Sequence, residues 1–281
     1  MADMPKGAQL FSFDKFTPTG WDEDKNLPTE AKVVKVFAWY ATAEDYLEDL
    51  SSAGSCCFGY ETLVGRCRLH LDLEQYGKPE SEHGAVGWRG WGSPEGAHSS
   101  LREVVAYLRE CLKFHFGVEE AEIWVSCSSR WIDGKGYKHS YHITVANVHT
   151  VDNIVQRGFF EEIFPAGHRH RGFIDMKIYT LRRQMRTWGA EKMEKSGAPA
   201  NAASKLINIT QNPYGDGGED VYSWRGIEQH KDHLAARRGL ITTIDEGSTF
   251  ADCSRLTPCT RASAGSAPNP ATWSRNSSPE A

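Results

Sequence analysis

The sequence from Leu63 to Glu74 reads LVGRCRLHLDLE, and its second half alternates apolar and polar side chains. This alternation predicts a β-strand with one buried face. The leucines at every second position would point into a core, and Asp72 and Glu74 would share the opposite face. Two adjacent carboxylates repel each other and favour a divalent cation such as Mg²⁺ between them. On its own, a D-x-E pair is also typical of a half-exposed strand with two solvated acids.

Patterns on either side of this strand predict a mixed fold. Alternating, β-branched or aromatic residues indicate strands, and apolar residues at helical spacing indicate helices. The predicted strands are 32–40, 63–74, 121–128, 138–148 and 172–180. The predicted helices are 42–50, 100–116, with a capping box at Ser100 and Glu103 and a stop at Gly117, and 151–164. This mixed order predicts an α/β or α+β fold.

Composition divides the chain into three parts. Residues 1–30 are polar and rich in Pro and Gly, and we expect loose packing there. Residues 31–246 are expected to form one domain. Residues 247–281 are rich in Ser, Thr, Ala and Pro with few large apolar side chains, which predicts a disordered tail. Within the domain, the Gly-, Trp- and Glu-rich loop 76–98 is unusually long, and such loops are often functional.

Charge and cysteine usage restrict the class of protein. The net charge is −5, so no global basic excess indicates a nucleic-acid partner. Phosphate binding needs only a local basic surface, and Pro165 to Lys195 holds eight Lys or Arg against three Asp or Glu. Seven cysteines, none in a C-x-x-C pair, favour a reduced intracellular protein. The chain shows no apolar signal core at its start and no run of about 18 apolar residues, which predicts a soluble protein with no membrane partner.

A second polar face is predicted in the sequence KHSYH. Lys138, Ser140 and His142 alternate with other residues, so on a strand they share one face. An ammonium, a hydroxyl and an imidazole in a row can donate several hydrogen bonds to a triphosphate. The same pattern is also typical of the solvated outer face of a hairpin.

A third group combines one acid with a basic segment. Asp175 lies in the predicted strand 172–180, and Arg183, Arg186 and Lys192 follow it. The carboxylate could complete a metal site, and the cations could hold phosphates and neutralise developing charge. Arg183 and Arg186 are three residues apart, so they would share a face on a helical turn but not on an extended segment. A solvated basic segment is the alternative interpretation.

The three groups occur in the order D-x-E, S-x-H and D…Y…R…R, each on a predicted strand. In that order they resemble the three motifs of the archaeo-eukaryotic primase superfamily, most of all its primase-polymerase (PrimPol) branch and related viral primases. RLHLDLE resembles the first motif, KHSYH the second and IDMKIYTLRRQMR the third, and KVFAWYATAEDYLEDL is similar to the segment before the first. The resemblance covers roughly Lys32 to Lys195, more than half of the chain.

This resemblance implies a fold and an activity. The fold would be an RRM-like catalytic sheet joined to a smaller N-terminal α/β module, with the active site in the cleft between them. The activity would be that of a template-directed DNA primase or polymerase that uses Mg²⁺ or Mn²⁺, a single-stranded DNA template, a primer and nucleoside triphosphates. In a eukaryote the compartment would be the nucleus or the mitochondrion. The implied metal-binding and catalytic residues are Asp72, Glu74 and Asp175, and the implied nucleotide-binding residues are Lys138, Ser140, His142, Arg183, Arg186 and Lys192.

Two other functions use the same residues. A non-catalytic replication protein could keep the fold to bind single-stranded DNA, but the presence of all three carboxylates favours an enzyme. A metal-dependent nuclease could use the carboxylates, but it has little need of the Lys-Ser-His face. Eukaryotic members of the superfamily often carry a C-terminal zinc module. Here His230, His233, Cys253 and Cys259 fit no common zinc spacing, so primer extension is expected more firmly than de novo priming.

Overall fold

The protein has a mixed α/β fold with two β-sheets. A computed structural model describes residues 8–24, 27–52, 59–76, 94–132, 136–187, 190, 207–208 and 240–253. The strands in these residues are β1 (Gln9–Asp22), β2 (Leu27–Tyr40), β3 (Gly59–Leu63), β4 (Cys67–Tyr76), β5 (Ile123–Cys127), β6 (Arg130–Ile132), β7 (Gly136–Thr150), β8 (Arg183–Arg186), β9 (Ile207–Asn208) and β10 (Thr249–Phe250). The α-helices in them are α1 (Ala43–Ser52), α2 (Pro94–Phe116) and α3 (Val155–Ile163).

The larger sheet, sheet B, is organised around β7. β4 runs antiparallel to β7 along one edge, and β6 and β5 pair with β7 along the other. β10 adds a short parallel pair at the end of β7, and β9 pairs with β5. The three leucines of β4 are fully buried, as the alternating sequence predicted. Antiparallel pairing and one parallel pair make this a mixed sheet.

Helices α2 and α3 contribute the core that packs on sheet B. The apolar residues of α2 at helical spacing are buried together with Phe159, Phe160 and Ile163 of α3. Gly117 ends α2 with a φ of 68°, and its N–H donates to the carbonyl of Lys113. The predicted start of this helix was wrong, because α2 begins at Pro94 and Ser100 is a buried residue inside it. Ser100 therefore caps no helix.

The smaller sheet, sheet A, is antiparallel and has the order β2-β1-β3-β8. Helix α1 packs on one of its faces, where the rings of Phe11 and Tyr46 stack with centroids 3.7 Å apart. Thr42 and Asp45 exchange side-chain hydrogen bonds to each other's N–H groups, which caps α1 as predicted. The expected loose packing of residues 1–30 was wrong for β1, because this strand pairs with β2 along its length and buries Phe11.

Two predicted strands differ in the structure. The predicted strand 63–74 is divided by a turn at 64–66 into the end of β3 and the start of β4. The predicted strand 172–180 is instead two single-turn 3-10 helices, Arg171–Phe173 and Met176–Ile178. Only Ile174 forms a bridge, to Leu73 of β4. The carboxylate of Asp175 accepts a hydrogen bond from the N–H of Lys177, and such local bonds compete with strand pairing.

The segment 240–253 is part of the folded protein. Arg68 is fully buried, and its guanidinium donates to the carbonyl of Leu240 and forms a 2.7 Å ion pair with Asp245. Ala251 and Cys253 are buried, and the N–H of Ala251 donates to the carbonyl of His149. The predicted tail 247–281 was therefore wrong for 247–253. The prediction from composition failed there because small buried side chains and backbone hydrogen bonds stabilise this segment without large apolar residues.

Several predictions lie outside the described residues. They are most of the loop 76–98, the basic residue Lys192, the possible zinc ligands His230, His233 and Cys259, and residues 254–281. Among the helices that the structure describes, none combines the length and apolar character needed to span a membrane.

A pair of truncations measures what 247–253 contributes. Removing 247–281 should lower the free energy of unfolding by about 2–4 kcal/mol relative to removing 254–281. The longer truncation loses the buried side chains of Ala251 and Cys253 and at least three hydrogen bonds. Thermal and urea unfolding followed by circular dichroism provide the measurement. Equal stability of the two truncated chains would show that β10 contributes nothing to the core.

Candidate active site

The predicted acidic and polar faces lie side by side on β4 and β7. Asp72 pairs with His142 and Glu74 pairs with Ser140 in the antiparallel register. Directly paired residues of adjacent antiparallel strands project from the same face. Asp72, Glu74, Ser140 and His142 therefore share one face of sheet B. Each strand pattern predicted a shared face for its own residues, and the pairing of β4 with β7 brings the two groups together. Lys138 lies two pairs further along, opposite Tyr76, and therefore on the same face.

Asp72 is a buried carboxyl group. Its side chain is nearly inaccessible, and its Oδ1 atom accepts no hydrogen bond. The pKa of Asp72 is raised to about 7, mainly by burial and also by the negative charges of Glu74 and Asp175. Lys138 and Arg186 oppose these effects. A nearby positive charge would therefore stabilise the ionised form of Asp72 more than that of an exposed carboxyl group.

One ammonium group and one imidazole lie near the two carboxylates of β4. The Nζ of Lys138 lies 2.6 Å from Oε1 of Glu74 and forms an ion pair with it. The Nε2 of His142 lies 3.8 Å from Oδ1 of Asp72, which is too long for a hydrogen bond. Burial and the charge of Arg186 hold the pKa of His142 well below its usual range. The imidazole is therefore neutral at pH 7.

Asp175 lies next to Asp72 by an unexpected route. It caps the 3-10 helix Met176–Ile178, and its N–H donates to the carbonyl of Asp72 over 2.9 Å. The backbone of Asp175 is thus attached to the edge of β4, although it lies on no strand. The charge of Asp175 acts on Asp72, as its effect on the pKa of that group shows. The sequence placed this acid near the pair but gave it the wrong secondary structure.

Sheet A provides the second wall of the site. A cleft of about 190 Å³ lies between the two sheets. Its lining residues are Tyr60, Asp72, Glu74, Lys138, Ser140, His142, Arg183, Gln184, Met185 and Arg186. The volume is below the 300–1,000 Å³ common for ligand pockets, so a nucleoside triphosphate would extend beyond this space. The sequence left a helical turn and an extended segment open for Arg183 and Arg186, and the structure places both on the extended strand β8. Both reach the cleft because β8 is an edge strand.

Ser128 links the two walls. A terminal nitrogen of Arg186 donates to Oγ of Ser128 over 2.8 Å, and this Oγ lies 3.1 Å from Oγ of Ser140. The buried Nε of Arg183, by contrast, donates no hydrogen bond. Sequence reasoning missed Ser128 and Tyr60. The run SCSS at the end of β5 offered a weak signal for Ser128, whereas Tyr60 reaches the cleft only through the pairing of β3 with β8.

The donor set suits a hard divalent cation, although the carboxylates do not converge in a finished metal site. Among the residues that the structure describes, no three His, Cys, Asp or Glu side chains are grouped closely enough to hold a metal ion. Glu74 is bound by Lys138, and Asp175 by the backbone of Lys177. The buried, unpartnered oxygen of Asp72 fits a role as an oxygen ligand. The metal-binding roles of the three acids remain predictions.

Comparisons with known proteins add no family to this picture. The chain matches none of the protein-family models and none of the curated proteins with which it was compared.

The raised pKa of Asp72 predicts a pH-dependent cost of folding. The folded state holds this proton up to about pH 7, whereas an unfolded Asp releases it near pH 3.9. Wild-type stability should therefore fall as pH rises between these values, because the folded state binds more protons. Asp72→Asn should be more stable than wild type at pH 8.5, by at most about 4 kcal/mol, and this advantage should vanish near pH 4.

The measurement is urea unfolding from pH 4 to 8.5 with a chelator present. Glu120→Gln, at an exposed carboxylate, is the matched control and should leave the pH profile unchanged. An Asp72→Asn protein that is less stable than wild type by the same amount at every pH would contradict the assignment of buried charge.

Proposed function

We propose that this protein is a template-directed nucleotidyltransferase, a DNA primase or polymerase that extends or starts a primer. The observation that carries the proposal is the cleft between the sheets. Carboxylates of β4 and hydrogen-bond donors of β7 form one wall, and arginines of β8 form the other. A triphosphate and its metal ions need such an arrangement of acids beside cations.

Asp72, Glu74 and Asp175 would hold Mg²⁺ or Mn²⁺. A bound divalent ion lowers the pKa of an attacking hydroxyl and stabilises the leaving pyrophosphate. The fit rests on the unpartnered Oδ1 of Asp72 and on the mutual repulsion of the carboxylates. Lys138 would bind phosphate. Its ammonium forms an ion pair with Glu74 and can turn to a phosphate when another cation binds that carboxylate.

The remaining residues would bind and orient the nucleotide. A neutral His142 can donate one hydrogen bond to a phosphate oxygen without adding charge beside Lys138. Ser140, joined to Arg186 through Ser128, would be oriented before substrate arrives. Arg183 has an unused buried donor and a planar group suited to two phosphate oxygens. These residues position charge and take no proton from the substrate.

The finer fold follows from the same proposal. Sheet B with α2 and α3 would be the RRM-like catalytic part of an archaeo-eukaryotic primase fold. Sheet A with α1 would be the smaller N-terminal module. The partners would be single-stranded DNA, a primer and nucleoside triphosphates inside the cell. A nuclease would use the same acids, but it would have no use for triphosphate binding in the absence of DNA, so this binding separates the two functions.

Removing both acids of β4 tests the activity. Asp72→Asn with Glu74→Gln should reduce primer extension by roughly 10³-fold, since the lost metal stabilisation amounts to several kcal/mol. Circular dichroism and melting should show a folded protein, because the isosteric amides relieve repulsion. The double variant Glu119→Gln with Glu120→Gln, at two exposed carboxylates, is the control. Extension within a few-fold of wild type would overturn the metal assignment.

A second test addresses the arginines of β8. Arg183→Lys should raise the nucleotide KM about 10- to 150-fold and change template affinity little, because lysine cannot replace the planar guanidinium. Arg182→Lys is the matched control, since this neighbouring arginine is exposed and does not line the cleft. An unchanged KM together with weaker template binding would assign β8 to the DNA path instead.

A further inference from the structure

Sheet A has one face turned away from α1. The register places Phe37 opposite Ser12, and Ser12 opposite Tyr60, so these three residues project from the same side. The pair Tyr60–Arg186 continues the row onto β8. Phe11, which stacks on α1, lies on the reverse side. We call the side with Lys35, Phe37, Trp39, Tyr60 and Arg186 the open face.

Two large aromatic side chains of the open face are accessible. Phe37 is 55% exposed and Trp39 is 41% exposed. They are two residues apart on β2, which places them about 7 Å apart along the strand. This spacing is comparable with the reach between neighbouring nucleotides of an extended single strand. Accessible aromatic rings on a sheet are a common platform for unpaired bases.

The open face leads directly into the cleft. Tyr60 lies two strands from Phe37, about 10 Å away, and it also lines the cleft. The ammonium of Lys35 lies 3.9 Å from the centre of the Tyr60 ring and carries positive charge between the aromatic pair and the cleft. Arg186 adds a second cation at the cleft edge. The rings and cations thus form one continuous path from β2 to the carboxylates.

We propose that the open face binds single-stranded nucleic acid, with bases stacked on Phe37 and Trp39 and the backbone near Lys35. The proposal rests on the proposed function, because it gives the template strand a path to the cleft. Stacking, not charge, supplies most of the binding. The net charge of the chain is −5, so no general basic excess adds to the cations of this face. Stacked aromatic rings bind bases of any sequence, which suits a template.

The test measures binding of a fluorescent oligothymidylate of about 20 nucleotides to the full chain by anisotropy. Phe37→Ala with Trp39→Ala should weaken binding at least about 10-fold, since one stacked ring contributes about 5- to 150-fold. Phe37→Tyr with Trp39→Phe should stay within about threefold of wild type, because both keep a ring. Val34→Ala with Val36→Ala is the matched control, since these residues of β2 are similarly exposed on the opposite face.

Raising the salt concentration separates stacking from charge. The loss caused by Phe37→Ala with Trp39→Ala should persist at high salt, whereas the loss caused by Lys35→Ala should diminish. Unchanged oligonucleotide binding in the alanine double variant, or no binding by wild type, overturns the proposal. If wild type proves to be a dimer and the alanine double variant a monomer with unchanged oligonucleotide affinity, the proposal is also overturned, and the open face is a contact between two copies.

Triphosphate binding and primer extension, measured on the same proteins, separate this proposal from the proposed function. Phe37→Ala with Trp39→Ala should leave triphosphate binding within about threefold of wild type, because neither ring lines the cleft. If wild type extends primers and the alanine double variant binds oligonucleotide normally, only the open face is misassigned. If wild type neither binds triphosphate nor extends primers while the double variant loses oligonucleotide binding, only the proposed activity fails.

Discussion

The antiparallel ladder between β4 and β7 determines both the core and the candidate site. Leu71 faces Ile143 on the side that packs against α2 and α3, and Asp72 faces His142 on the side of the cleft. Because side chains alternate, a slip of one residue in this register would move the carboxylates into the core and the leucines into the cleft. The apolar packing that stabilises sheet B therefore also fixes which polar residues meet across it.

The cost of a buried carboxylate explains the distribution of charge around this ladder. Asp72 lies where water cannot solvate it, beside two further acids, and the cations of β7 and β8 offset only part of that cost. A stabilising design would place a neutral side chain there. Sites of this kind, destabilised by an arrangement of like charges, are where functional demands oppose folding stability. The negative charge that remains in the cleft therefore favours the binding of a ligand that adds positive charge.

The parts of the structure that the sequence predicted are those with their own periodicity. β4, β7 and α2 each bury one face, and their patterns repeat often enough to identify them. β1 was missed because its mixed composition conceals the pairing with β2. The segment 172–180 has a strand-like sequence, but the local hydrogen bond of Asp175 and the turns around it prevail. Tyr60 and Ser128 join the site through contacts between distant strands, which no local pattern encodes.

Two short connections hold the walls of the cleft together. The turn at 64–66 joins β3 of sheet A to β4 of sheet B, and residues 176–182 join Asp175 to β8. Hydrogen bonds hold the second connection in place. Asn153 donates to the carbonyls of Ile178 and Thr180, and the hydroxyl of Tyr179 donates to the carbonyl of His70. These bonds lie outside the cleft, yet they fix the distance from the arginines to the carboxylates. The irregular backbone after Asp175 is therefore what allows acids of one sheet and cations of the other to face a common space. A continuous strand through 172–180 could not have turned from the edge of β4 to the edge of β3.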